Sequence, residues 1–66
     1  MIWEALEYGE PFMIEVSQIS ALTKVGHQTI VINEQSGAEH RLWYDNWMPC
    51  SRDFDALAKL FKESTP

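Results

Sequence analysis

Cys50, Asp45 and the two histidines, His27 and His40, are the side chains of this sequence with the makings of nucleophilic chemistry. In that chemistry a thiolate attacks, an imidazole takes the proton and a carboxylate orients the ring. It needs a nucleophile held on a sharp turn and a cavity of roughly 300–1,000 Å3 around it. No glycine-rich elbow surrounds Cys50, and a chain of 66 residues has little interior to give up. The bland reading fits better: a small, half-buried thiol ahead of a helix, its pKa modestly lowered by the helix start. No enzymatic activity is expected. Structural zinc takes four ligands in close local pairs. Cys50, His27 and His40 form no Cys-x-x-Cys or His-x-x-x-His pair. No metal site and no cofactor are expected.

A second chemistry, base stacking, has its aromatics in Trp43, Tyr44 and Trp47. It lacks the charge. Lys24, Arg41, Arg52, Lys59 and Lys62 are scattered, and only Arg41 is near the rings. Ten acids against five bases give a net charge of −5. Phosphate recognition needs a basic footprint, so nucleic acid is disfavoured.

The third constellation is Arg41-Leu42-Trp43-Tyr44-Asp45-Asn46-Trp47-Met48. Arg, Trp, Tyr and Met are the types enriched where proteins grip one another. Some of these rings must serve as core in so small a domain. Strand alternation puts Leu42 and Tyr44 on one face and Trp43 on the other, and Trp47 falls in a connection. At least one of Trp3, Trp43 and Trp47 is therefore expected in solvent. The acids are unevenly placed. Residues 1–23 hold Glu4, Glu7, Glu10 and Glu15 with no Lys or Arg, a net of −4, and the remainder sums to −1. Such a flank keeps a small domain soluble, and it favours basic partners. The expected contact set is Arg41, Trp43, Tyr44 and Trp47, flanked by Glu4, Glu7, Glu10 and Glu15. The expected partner is a larger protein that this chain regulates or inhibits, in the manner of small phage-encoded modulators. An assembly component of a larger complex is the alternative of the same kind.

These residues need elements to position them. The chain is long enough for one domain and for no more. It is 45% hydrophobic, 12% aromatic and 23% charged, ordinary for a globular protein. A lone cysteine argues for a reducing compartment. Glu4 and Glu7 interrupt the N-terminal segment, and no long apolar run follows. Neither signal peptide nor membrane span is expected, and the cytoplasm is the default.

Ile2 to Tyr8 reads as an edge strand, ended by Gly9, with Pro11 outside the ladder. Phe12, Ile14 and Val16 alternate with Met13 and Glu15, the pattern of a half-buried strand. Ser17-Gln18 interrupts, and a further alternating stretch runs through Ile19 to Val25. Gly26-His27 turns the chain. Thr29-Ile30-Val31-Ile32 is β-branched and apolar on both faces, the mark of a central strand. Gln35-Ser36-Gly37 predicts a type I turn closed by a bulge, with Gly37 left-handed. A returning strand, 38–44, follows. Residues 45–50 read as a connection, because Pro49 disfavours helical geometry at Met48. Ser51 then reads as an N-cap, with Asp53 and Asp55 in the first turn where the helix dipole favours acids. Phe54, Leu57, Ala58 and Phe61 keep the i, i+3, i+4, i+7 spacing of a helix over 51–63.

The expected fold is α+β: an antiparallel sheet of about four strands, with one amphipathic helix across a face. The expected core is Phe12, Ile14, Val16, Ile19, Ile30, Ile32, Leu42, Phe54, Leu57 and Phe61. Pro11 and the glutamates guard one sheet edge. The other edge is open to a partner strand or a second copy, so a symmetric homodimer belongs to the same reading.

Met1-Ile2, then Leu6-x-x-Gly9-x-x-Phe12, Ile19-x-x-Leu22, Ile30-Val31-Ile32, the Gly37 turn and the terminal helix together resemble the small flagellar FlbD-type proteins. The strand order also looks like the core of LytTR-type DNA-binding domains. The first likeness implies a small β-rich fold. The second implies a nucleic-acid-binding regulator as the alternative function. The chain departs from the first in its Trp43-Tyr44-Asp45-Asn46-Trp47 segment, and from the second in its acidity.

Overall fold

The computed structural model describes residues 1–64. Two strands, β1 (Ile2–Glu4) and β2 (Met13–Glu15), pair as one antiparallel sheet. A single 3-10 turn over Val16–Gln18 leads into β3 (Ile19–Val25), β4 (Thr29–Glu34) and β5 (Glu39–Trp43). These three form an antiparallel meander with β4 in the centre. Helix α1 (Trp47–Ser64) closes the chain and packs against β3, β4 and the 3-10 turn. The α+β class stands, but among the described residues the strands number five, in two sheets rather than one. The 3-10 turn is the reason. It buries Val16 and redirects the chain, so β2 and β3 fall in different sheets.

Alternation decides which side chains enter the core. Trp3 lies opposite Ile14 and both point inward, while Ile2, Glu4 and Met13 stay in solvent. The first strand ends at Glu4, four residues short of the sequence expectation, although the Ala5 N–H still donates to the Phe12 carbonyl at 3.0 Å. Pro11 therefore sits outside the ladder, where its missing N–H costs nothing. In the meander, Ile30 faces Lys24 and Leu42, and Ile32 faces Leu22 and His40. Ile30 and Ile32 are fully buried and Val31 nearly so, as a strand filled on both faces requires. Each such side chain is worth about 1.5–3 kcal/mol of transfer free energy. Gly37 takes a φ of +98°, and the Gly37 N–H donates to the Glu34 carbonyl at 2.9 Å. Glycine is needed there because a Cβ clashes with the backbone in this region.

The helix starts at Trp47, not Ser51. Asn46 Oδ1 accepts the Met48 N–H at 3.0 Å and so fills the N-cap role. Pro49 is tolerated because it stands in the first turn. No intrahelical partner awaits an N–H there, and the carbonyl four residues back lies outside the helix. Ser51, Asp53 and Asp55 are consequently not at the helix start. The apolar stripe reaches further back than Phe54. Cys50, Asp53 and Leu57 are its buried residues, with Phe54, Leu60 and Phe61 packed half-exposed beside them. Phe12, too, is only partly buried, its ring edge-on to Trp3 and to His40 at centroid distances of 6.4 and 5.5 Å. Trp3, Ala5, Val31, Tyr44 and Cys50 join the core in addition to the residues expected there. No helix of the described residues is long and apolar enough to cross a membrane.

Candidate docking surface

The two exposed indoles lie at one end of the fold, where the turn after β3 meets the connection into α1. Gly26, at φ +64°, makes that turn. It returns the chain so that Val25 pairs with Thr29, and Thr29 with Trp43. The Tyr44 N–H donates to the Gln28 carbonyl at 2.7 Å, and the Gln28 side-chain amide donates to the Asp45 carbonyl at 3.0 Å. These bonds, with the Asn46 cap, fix the backbone between Trp43 and Trp47. Trp43 is held outside by strand parity, since Leu42 and Tyr44 take the inner face. Trp47 shares the phase of the buried stripe but is the first residue of α1, one turn before the burial begins at Cys50, and so it stands in solvent at the helix end. The indoles of Trp43 and Trp47 are 59% and 58% exposed, and Trp3 is 4% exposed.

Concavities lie on both sides of the Asp45–Asn46 segment, which itself lines one of those beside Trp47 together with His27 and Gln28. On one side a cavity of about 380 Å3 is lined by Trp43, Pro49, Tyr8 and the acids Glu7, Glu10 and Asp45. On the other a cavity of about 460 Å3 is lined by Trp47, Ser51, Lys24 and His27. One indole thus stands beside three carboxylates with no Lys or Arg in the lining, and the other beside Lys24 and Asp45. Glu7 shares its charge with Arg52, its Oε1 3.1 Å from an Arg52 nitrogen. Lys24 carries its ammonium 5.6 Å from the Phe54 ring centroid, a cation–π distance.

Tyr44 corrects the expected contact set. It is 2% exposed and edge-on to Tyr8, and its hydroxyl donates to Asp53 Oδ2 at 2.6 Å. It forms part of the wall beneath Trp43 and is not a surface ring. The parity that exposes Trp43 requires this, because adjacent strand residues point to opposite faces. Burial, and then the hydrogen bond and charge of Asp53, push the Tyr44 phenol well above its usual range.

The other expected residues scatter. Arg41 is on the outer sheet face, paired with Glu39 at 2.9 Å. Glu4 is on the outer face of the first hairpin, and Glu15 on that hairpin pairs with the N-terminal ammonium at 2.7 Å. That ammonium holds the Glu15 carboxyl below its usual range. Of the eight residues, the structure brings together Trp43, Glu7, Glu10 and the buried Tyr44 around one cavity, with Trp47 across the Asp45–Asn46 divide. Sequence reasoning passed over Lys24, His27, Asp45 and Pro49 as lining residues. Asp45 carried a signal, being an acid between two tryptophans. The first two meet Trp47 only through the hairpin register.

Of the nucleophile candidates, His27 and Asp45 line one concavity, and neither Cys50 nor His40 is among its lining residues. Cys50 is fully buried, and its thiol is pushed up by burial, opposed by nearby Lys24 and reinforced by Asp53. The lowering expected from a helix start is not what the structure gives, because burial disfavours the thiolate. His40 pairs with Glu34 across the turn into β5. Among the described residues, no group of three or more His, Cys, Asp or Glu is placed to hold a metal ion. Comparison with protein-family models, with curated proteins and with solved structures found no match to this chain.

Proposed function

We propose that this protein is a non-enzymatic binding module that docks on a larger protein and modulates it in the cytoplasm. The observation that carries the reading is the pair of indoles, Trp43 and Trp47, both more than half exposed on one backbone-pinned end of the fold. A small domain leaves large aromatics in water at a cost, and aromatic anchors beside concavities are typical of interface hot spots. The pinned backbone adds to this, since a preorganised surface loses less entropy on binding. The test is affinity capture from a native lysate with the wild type and with Trp43→Ala/Trp47→Ala. The expected result is a protein retained by the wild type and lost by the variant, with an unchanged far-UV circular dichroism spectrum. Equal retention by both proteins refutes the reading, and so does unfolding of the variant, which makes the rings structural.

One observation favours a second reading, nucleic-acid binding of the kind implied by the LytTR likeness. Lys24 lies beside Trp47, so this ring has a cationic neighbour in space that it lacks in sequence. A gel shift at low salt with mixed DNA and RNA separates the two readings, and absence of any shift removes the second.

A further inference from the structure

The cavity beside Trp43 is lined by three acids, only one of which has an ion-pair partner among the described residues. Glu7, Glu10 and Asp45 all line it, with Trp43 and Pro49 as apolar wall. Glu7 is engaged by Arg52. Among the described residues, Glu10 and Asp45 have no ion-pair partner. The floor is firm, because Tyr44 beneath it is buried and hydrogen-bonded to Asp53. A volume of about 380 Å3 accommodates a long side chain but not a folded element.

We infer that this cavity receives a basic side chain, arginine in preference to lysine, from an extended segment of the partner protein. A cation there meets two unpaired carboxylates and an indole together. Arginine is favoured because its planar guanidinium stacks on an aromatic face and forks onto carboxylates, whereas ammonium is a compact and more strongly hydrated charge. Segment 1–23, which supplies Glu7 and Glu10, has no Lys or Arg to fill the site, and its N-terminal ammonium is held by Glu15. Lys24 lines the concavity beside Trp47, whereas no Lys or Arg lines the one beside Trp43, so the basic residue docks on the Trp43 side of the Asp45–Asn46 divide. The inference rests on the docking reading above and specifies the chemistry of the group received.

The three indole N–H signals in a 15N-correlated NMR spectrum report on the two sides separately, with buried Trp3 as internal control. The probe is an acetylated, amidated hexapeptide of alternating glycine and arginine, titrated at low salt. The Trp43 signal is expected to move and saturate while Trp3 stays fixed. The same peptide with glutamate for arginine leaves Trp43 in place, and lysine for arginine binds more weakly. Glu10→Gln or Asp45→Asn weakens the arginine peptide roughly threefold, and the double variant roughly tenfold, as partly exposed ion pairs do. Added salt weakens it further. A Trp43 signal unmoved by the arginine peptide, moved as much by the glutamate peptide, or equally responsive in the double variant overturns the inference. A shift confined to Trp47 does the same. If lysate capture depends on Trp43 and Trp47 while the arginine peptide leaves Trp43 unmoved, the docking reading stands and this inference alone falls.

Discussion

Tyr44→Phe tests how the docking end is braced. Asp53 is 1% exposed, and its Oδ2 takes the Tyr44 hydroxyl at 2.6 Å. Its Oδ1 is buried with no hydrogen-bond partner among the described residues. Removing the hydroxyl therefore leaves a buried carboxyl group with neither oxygen satisfied. A hydrogen bond to a charged group is worth about 1.5–3 kcal/mol, and an orphaned buried acceptor adds its desolvation cost. A loss of about 2–4 kcal/mol is expected. A domain of this size has roughly 3–10 kcal/mol in total. Urea titration followed by far-UV circular dichroism reads the loss. With a slope of about 1 kcal/mol per M, the midpoint falls by about 2–4 M or the variant is already unfolded in water. Adding Asp53→Ala to Tyr44→Phe is expected to cost far less than the sum of the two single changes, because the second removes the group the first orphans. Strict additivity, or a Tyr44→Phe cost under about 0.5 kcal/mol, refutes the bracing role.

Leu57→Ala deletes the fully buried centre of the helix stripe and is expected to cost about 2–5 kcal/mol in the same titration. Asn46→Ala removes the cap on the Met48 N–H, with an expected loss of about 1 kcal/mol and fraying of the turn that carries Trp47. The Tyr44 phenol is raised in the folded state. Its contribution is complete below the unfolded phenol value of about 10 and lost as pH rises above it, at up to about 1.4 kcal/mol per pH unit. Stability measured across this alkaline range should fall more steeply for the wild type than for Tyr44→Phe.

Strand parity and helical phase are local properties, and they carried most of the architecture. The β-branched Thr29–Ile32 run, the Gly37 turn and the Phe54–Leu57–Phe61 spacing each announce an element from neighbours in sequence. Parity also placed Leu42 and Tyr44 opposite Trp43. Residue type and parity conflict at Tyr44: its place in a cluster of interface-favoured side chains suggests surface, and its parity puts it in the core. Parity held a further signal in Ile2 to Ala5. Glu4 shares a face with Ile2, which leaves the inner face to Trp3 and Ala5. The helix start was missed for a different reason. Pro49 reads as a breaker in isolation, whereas in a first turn the N–H it lacks has no partner, and Asn46 supplies the cap. What no local pattern could supply is the assembly of the two cavities. Glu7 and Glu10 reach Trp43 only because the first hairpin folds over the same core, and Lys24 and His27 reach Trp47 only through the β3–β4 turn.

The central claim is that Trp43 and Trp47 carry binding energy rather than fold stability. Calorimetric titration of the captured partner against Trp43→Ala and Trp47→Ala, beside thermal melts of the same samples, measures this directly. Each substitution is expected to weaken binding by roughly thirtyfold, the threshold of an interface hot spot at about 2 kcal/mol, with melting midpoints close to that of the wild type. Wild-type affinity in both variants, or a collapse of the melting midpoint in both, contradicts the account.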